Sequence, residues 1–274
     1  MTATDAISDE KNPPEVFPKT NATTTGINNN KRLICIRHAR SEGNEFLSRP
    51  GNQWGDPTFC DNATLIDAKL TETGLKQVKE QLLPELEQDY YSQLLEQVDL
   101  VLISPLTRTL ETFQYGVLPV LQELRGDAMP LIIANPLCTE RVYTASDTGR
   151  SADVLAKEFP FCDFSALPKD QPWWYTHAKD PPGFTYHEWR PYGEGQWYAV
   201  PGEPPEVFDF RMEKLKAWIQ SSRPEQTILL VAHWGVLRYL TGCETRNCEV
   251  KVMEWKAIKE EEDGGQPVCS SQGN

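Results

Sequence analysis

The chain has 274 residues, and 39% of them are hydrophobic, which is enough for an ordinary buried core. Its formal net charge of -13 would repel a nucleic-acid backbone, and no dense run of Lys and Arg offsets this charge locally. No stretch approaches the roughly 18 consecutive apolar residues of a membrane helix, and the N-terminus lacks a signal-peptide pattern. We therefore expect a cytoplasmic protein that binds neither nucleic acid nor a membrane.

Both ends of the chain have the composition of flexible tails. Residues 1–30 are polar and rich in Asn, Thr and Pro, and residues 259–274 contain four consecutive acidic residues followed by two glycines. Between the tails there is no fixed-period repeat and no Gly- or Ser-rich linker. We expect one domain over residues 31–258. The seven cysteines show no Cys-x-x-Cys pair or zinc spacing, so neither a disulfide framework nor a structural zinc site is expected.

Short apolar runs alternate with segments of helical periodicity. Buried strands are predicted at residues 33–36, 100–103, 131–134 and 228–232, with a last, edge strand at 250–258. Helices are predicted at 107–121, at 207–219 and after Thr71, with Pro84 as a candidate interruption of the helix that Thr71 caps. This alternation predicts an α/β fold: a three-layer α/β/α arrangement with a mostly parallel central sheet.

Polar residues follow three of the predicted strands. The first strand runs into Arg37 and His38, the second into Ser104 with Arg108 just beyond, and the fourth into His233. Ligands of such sheets collect beyond the C-terminal strand ends, so we expect these side chains to meet at one edge.

This combination suits phosphoryl transfer. A neutral imidazole, here His38, is a competent nucleophile toward phosphorus. The guanidinium groups of Arg37 and Arg108 would stabilise the equatorial oxygens, and His233 would do so from a neighbouring strand end. The leaving oxygen also needs an acid that can later deprotonate water, for which a shielded carboxylate is suited.

Four short motifs follow one another along the chain. They are Arg-His-Ala-Arg-Ser-Glu-Gly-Asn at residues 37–44, Leu-Thr-Glu-Thr-Gly at 70–74, Ser-Pro-Leu-Thr-Arg-Thr at 104–109 and Val-Ala-His-Trp-Gly at 231–235. In order and spacing they resemble the motifs of the histidine phosphatase superfamily, which includes the cofactor-dependent phosphoglycerate mutases. Four motifs in sequence are far more specific than one octamer.

The resemblance implies a role for each matched residue. It implies that His38 becomes phosphorylated without a metal or other cofactor. The implied phosphate pocket consists of Arg37, Arg108 and His233, with Ser41 and Asn44 as nearby loop contributors.

The resemblance also indicates the acid, because residues 137–140 fit a Leu-x-x-Glu pattern that ends in Glu140. Glu42 and Glu111 are the alternatives for this role. Asp147 and Glu203 are assigned supporting positions.

Two departures from the superfamily pattern affect the prediction. Ala39 occupies a position that is usually glycine, so either its φ is negative or the loop is shifted. Phosphoglycerate mutases typically carry Glu-Arg-His-Tyr-Gly at the acid, whereas here the sequence is Glu-Arg-Val-Tyr-Thr at residues 140–144. The second departure favours a phosphatase over a mutase.

An aromatic stretch at about residues 172–204 resembles an insertion. In the superfamily, insertions near this place roof the active site and select the substrate. Arg190, His187 and His177 could contact a charged substrate from it. The alternative is that its Trp and Tyr side chains serve as packing material.

We therefore expect a phosphomonoesterase of the histidine acid phosphatase type acting on a phosphorylated small molecule, with a phosphopeptide as a second candidate. One rival function is a phosphoglycerate-type mutase. The other is a catalytically silent module that binds phosphorylated ligands.

Overall fold

The structure is a computed structural model that describes residues 31–53, 62–169, 173–174, 203, 205–221 and 223–255. The two predicted tails and most of the predicted insertion, including His177, His187 and Arg190, lie outside these ranges. Within them, no helix is long and apolar enough to cross a membrane.

Five strands form one sheet. They are β1 (Lys31–Arg37), β2 (Leu100–Ile103), β3 (Leu131–Ala134), β4 (Thr227–Ala232) and β5 (Val250–Trp255). The order across the sheet is β3-β2-β4-β1-β5, in which β5 is antiparallel to β1 and the other pairs are parallel. The predicted mostly parallel sheet with a final edge strand is confirmed.

Seven helices are described. They are α1 (Glu42–Leu47), α2 (Glu72–Gln77, Val78–Leu82 and Leu83–Leu86 in succession), α3 (Asp89–Leu95), α4 (Thr107–Thr112, Phe113–Val117 and Leu118–Arg125 in succession), α5 (Ala152–Glu158), α6 (Pro205–Ser221) and α7 (Trp234–Thr241). One hydrophobic core joins a face of the sheet to α2, α3, α4 and α5. A second core joins the opposite face to α6 and α7. The predicted three-layer α/β/α arrangement is therefore confirmed.

Prolines inside α2 and α4 do not end these helices. Thr71 caps α2, since its Oγ1 accepts the N–H of Gly74 at 3.0 Å. Pro84 and Pro119 each follow a wider, π-helical turn, Val78–Leu82 in α2 and Phe113–Val117 in α4. A proline removes a helical hydrogen bond and crowds the preceding turn, and a π-helical turn relieves that crowding. The expected interruption at Pro84 is therefore wrong.

The register of the parallel strands brings distant segments to one edge. Arg37 pairs with Ala232 at the ends of β1 and β4, and Ile103 pairs with Val231 at the ends of β2 and β4. The residues that follow these strands therefore emerge side by side, where the sequence predicts the site.

Candidate active site

Two histidines lie together at the C-terminal edge of the sheet. His38 follows β1, and its N–H donates to the Ala232 carbonyl at 3.0 Å. His233 follows β4, and the centroids of the two rings are 5.1 Å apart. Both side chains are buried. The structure thus brings together residues separated by almost two hundred positions in sequence.

The environment of His38 favours a neutral ring. Its Nδ1 lies 2.7 Å from the Ala39 carbonyl, which can only accept a hydrogen bond. Nδ1 therefore carries the proton, and Nε2 keeps a free lone pair. Burial, followed by the nearby charges of Arg108 and Arg37, holds the pKa of His38 well below its usual value.

The environment of His233 is similar. Burial, followed by the charge of Arg108, lowers the pKa of His233 well below its usual value. Its Nε2 lies 2.7 Å from Ser104 Oγ, at the end of β2. Its Nδ1 is buried without a hydrogen-bond partner among the described residues.

Arg108 lies in α4, and two contacts fix the position of its guanidinium group. One guanidinium nitrogen, Nη2, lies 3.0 Å from Asp147 Oδ1, and Nη1 donates to the Ser146 carbonyl at 2.5 Å. Asp147 Oδ2 accepts the N–H groups of Tyr143 and Thr144. Asp147 therefore connects Arg108 to the loop after β3, and this pair is almost wholly buried.

Arg37 reaches the same cleft from the end of β1. Its Nη1 donates to the Thr245 carbonyl at 2.6 Å, whereas its Nε is buried without a partner among the described residues. An unpaired buried donor costs about 1–3 kcal/mol, so a ligand oxygen that accepts from it would be stabilising.

Glu140 comes into the cleft from the loop after β3. Its carboxylate accepts the N–H of Arg141 at 2.9 Å and that of Gly235, at the start of α7, at 3.2 Å. Burial, with a smaller contribution from the charge of Asp147, raises the pKa of Glu140.

The two alternative acids are used elsewhere. Glu42 accepts the N–H of Lys69 and Glu111 that of Leu70. Neither is among the residues that line the cleft, whereas Glu140 is. The geometry therefore favours Glu140 over both.

The arginine that holds the acid loop was not predicted from the sequence. Arg211 in α6 donates to both carboxylate oxygens of Glu203 and to the carbonyls of Leu137, Thr139 and Glu140. Arg211 is 5% exposed, because it lies on the helix face that carries the buried apolar residues. A charged residue in a predicted apolar stripe is the signal that could have revealed it, because buried arginines are almost always paired.

The loop after β1 is organised around α1. Ser41 caps this helix by accepting the N–H of Asn44 at 3.3 Å, and the Asn44 side chain accepts the N–H of Ser41. Asn247 ties the loop down by donating to the His38 carbonyl at 2.8 Å and to the Asn44 side chain. Ala39 keeps a negative φ, so glycine is not required at its position.

These side chains line one cleft of about 820 Å³. The cleft-lining residues from the sequence prediction are Arg37, His38, Ser41, Asn44, Arg108, Glu140 and Asp147. His233 is buried behind them and is not among the lining residues. His187 and Arg190 are outside the described residues, so their predicted contacts stay predictions. Trp173, from the start of the predicted insertion, packs in the core and donates to the Arg150 carbonyl at 2.7 Å.

Among the described residues, no group of three or more His, Cys, Asp or Glu side chains is arranged to hold a metal ion.

Comparisons with known proteins give one relative in sequence and weaker likenesses in structure. A phosphoglycerate mutase-like protein from Arabidopsis thaliana is 27% identical over 240 residues, covering 80% of this chain and 76% of the relative. No family model matches the chain. The resemblance expected from the four motifs is confirmed by this relative.

Two solved structures illustrate the structural likenesses. The ecdysone phosphate phosphatase of Bombix mori, in complex with tungstate, is 16% identical with a TM-score of 0.46, covering 89% of this chain and 96% of its own. The alpha-ribazole phosphatase from Shigella flexneri is 18% identical with a TM-score of 0.41, covering 87% and 94%. Likenesses at this level do not transfer a substrate to this chain.

Proposed function

We infer that this chain is a member of the histidine phosphatase superfamily, and on that premise we propose that it hydrolyses a phosphomonoester through a phosphohistidine at His38. The observation that carries the proposal is the convergence of His38, Arg37, Arg108 and Glu140 around one cleft, with the ring of His233 against that of His38. Neither step of the proposed reaction uses a metal.

In the first step, the lone pair of His38 Nε2 forms a bond to phosphorus while the ester P–O bond breaks. The electron pair of that bond goes to the leaving oxygen, which takes a proton from Glu140. The lowered pKa of His38 keeps the nucleophile unprotonated, and the raised pKa of Glu140 favours the protonated acid. Both shifts favour the reactive pair of protonation states.

In the second step, the Glu140 carboxylate takes a proton from water, and the water oxygen attacks phosphorus. The P–N bond breaks and its electron pair returns to His38 Nε2, so both residues regain their starting states. Inorganic phosphate is released.

The phosphate oxygens would bind to donors already present in the cleft. Arg37 and Arg108 supply guanidinium N–H groups. The contact with Asp147 fixes the position of the Arg108 guanidinium. If Ser104 donates its hydroxyl proton to His233 Nε2, then Nδ1 carries the ring proton and can donate to the substrate.

The sequence at the acid favours hydrolysis over mutase activity. Val142 replaces the histidine typical of phosphoglycerate mutases, and its backbone is bonded to Glu203 in both directions. A silent binding module would need the arginines but would not require the neutral nucleophile at His38. Hydrolysis therefore accounts for more of the site than either rival.

The test compares the wild type with His38→Ala, using 4-nitrophenyl phosphate as the probe. We expect the wild type to release phosphate and to form a phosphoenzyme that is labile in acid and stable in alkali. His38→Ala should form none and lose activity by more than about 10³-fold. Thermal melting of both proteins controls for folding.

Three results would contradict the proposal. One is parental activity in His38→Ala. Another is interconversion of monophosphoglycerates faster than phosphate release, which would identify a mutase. The third is binding of phosphorylated ligands without turnover, which would identify a silent module.

A further inference from the structure

Part of the cleft lining is aromatic. Apart from the polar groups at the sheet edge, the lining includes four aromatic side chains: Tyr143, Phe208, Trp234 and Tyr239. A phosphate group needs only a small part of a cleft of about 820 Å³. The remaining lining faces the alcohol portion of the ester and determines which alcohols fit.

Two helices contribute three of these rings. Phe208 from α6 and Tyr239 from α7 pack edge to face, with their centroids 6.0 Å apart. Trp234 begins α7, and its side chain is 37% exposed at the cleft. We call the four rings of Tyr143, Phe208, Trp234 and Tyr239 the aromatic wall. Three of them belong to the packed helix framework, and Tyr143 comes from the loop after β3, so most of the wall is a preformed surface.

The polar atoms of these rings are already used by the protein. The Tyr239 hydroxyl donates to Glu213 at 2.7 Å, and Trp234 Nε1 donates to Glu244 at 2.5 Å. A cation also lies over each ring of the lining: Arg141 over Tyr143, Arg211 over Phe208, Arg238 over Trp234 and Lys216 over Tyr239. What remains for a ligand is the ring surface that these cations leave uncovered. Such surface favours flat or apolar groups.

The cations beside the wall also have partners in the protein. Arg238 forms an ion pair with Glu244 at 2.6 Å, and Arg141 donates to the Glu203 carbonyl at 2.7 Å. Asp209 adds a carboxylate to the lining, close enough to Arg141 for the two charges to interact. A substrate with a second negative group would meet this carboxylate and would compete with Glu244 for Arg238.

From this arrangement we propose that the substrate class is monophosphate esters of uncharged alcohols with an aromatic or similarly flat apolar body. The aromatic wall of Tyr143, Phe208, Trp234 and Tyr239 binds that body, while Asp209 disfavours esters that carry a carboxylate or a second phosphate. This inference rests on the proposed phosphatase function and deepens it. Phosphoglycerate lies outside this class, because it is small and carries a carboxylate.

The first experiment uses three esters of primary alcohols: benzyl phosphate, 4-carboxybenzyl phosphate and glycerol 1-phosphate. The first two share the same reacting centre and differ by one carboxylate. We expect kcat/KM for benzyl phosphate to exceed that for each of the other two by at least tenfold. In an Asp209→Asn variant, the ratio of kcat/KM for benzyl phosphate to that for 4-carboxybenzyl phosphate should fall severalfold.

The second experiment removes the most exposed ring of the wall. In Trp234→Ala, the ratio of kcat/KM for benzyl phosphate to that for glycerol 1-phosphate should fall at least fivefold. The matched control is Tyr115→Ala, which removes a ring that is 43% exposed on α4 and is not among the cleft-lining residues. This control should leave the ratio within twofold of the wild-type value.

The outcomes separate this inference from the proposed function. If His38-dependent hydrolysis occurs but 4-carboxybenzyl phosphate or glycerol 1-phosphate is preferred, the substrate class is wrong and the phosphatase proposal stands. The class is equally wrong if Trp234→Ala leaves the ratio unchanged. If phosphate release from all three esters is independent of His38, the proposed function itself fails.

Discussion

Gly235 contributes to the site through the side chain that it lacks. A Cβ built on Gly235 would overlap the Glu140 carboxylate, which accepts the Gly235 N–H. Glycine is therefore required here for close approach and not for an unusual φ. Its function is to let the acid lie against the start of α7.

A Gly235→Ala substitution should displace Glu140 from its position. We expect kcat to fall by about 10²-fold, the lower end of what general acid–base catalysis contributes. The double variant Gly235→Ala with Glu140→Gln should have a kcat close to that of Glu140→Gln alone, because both changes remove the same acid. Steady-state kinetics of the two single variants and the double variant test this. Fully multiplicative losses would show that Gly235 acts independently of Glu140.

At the scale of elements, α6 supports the acid loop through the hydrogen bonds of Arg211. Arg211 uses its donors on Glu203 and on three carbonyls of residues 137–140, so the loop position depends on this helix. The pair is buried, with side chains 6% and 1% exposed. A lone charge left there would be strongly unfavourable.

Arg211→Met should therefore lower the free energy of unfolding by about 3–5 kcal/mol, because it leaves Glu203 buried without its guanidinium partner. The double variant Arg211→Met with Glu203→Leu should recover part of that loss. Urea denaturation measures both. The control is Lys216→Met on the same helix, which breaks an exposed ion pair with Glu213 and should cost less than about 1 kcal/mol. Equal losses of unfolding free energy in Arg211→Met and Lys216→Met would show that the buried pair of Arg211 and Glu203 does not stabilise the fold more than an exposed one.

For the whole molecule, burial of the two histidines makes stability depend on pH. Burial holds the pKa values of His38 and His233 well below 6.5 in the folded protein, whereas in the unfolded chain both return to their usual range. As the pH falls below 6.5, the unfolded state binds protons that the folded state does not, so stability is lost. The raised pKa of Glu140 acts in the opposite direction: above the usual carboxyl pKa the folded state keeps a proton that the unfolded state has lost, so this contribution to stability decreases as the pH rises.

A His38→Asn variant isolates one of these contributions. Between pH 7.5 and 5.5, we expect the free energy of unfolding of the wild type to fall by about 1 kcal/mol more than that of the variant. The reason is that the His38 imidazole of the unfolded wild type binds a proton over the pH unit below its usual pKa, whereas the folded protein does not. Urea unfolding at the two pH values measures the difference. An identical pH dependence in both proteins would show that His38 is not buried in its neutral form.

Sequence patterns alone predicted the strands, the order of the motifs and the residues of the candidate site. These features depend on local apolar runs and on residues next to strand ends, which a sequence displays directly. The short helices α1, α3, α5 and α7 were not predicted, because each offers too few turns for a clear periodicity. The interruption expected at Pro84 was wrong, because a π-helical turn before the proline relieves its crowding and lets the helix continue.

What the sequence by itself determined is the α/β class and the set of side chains available for phosphoryl transfer. The tertiary structure alone decided how these side chains are held: the protonation of the two histidines, the Asp147 contact to Arg108, and the support of Glu140 by Gly235 and Arg211. The physical reason is that pKa shifts, close approach and buried hydrogen bonds depend on neighbours far away in the chain, whose positions are set by strand register and helix packing.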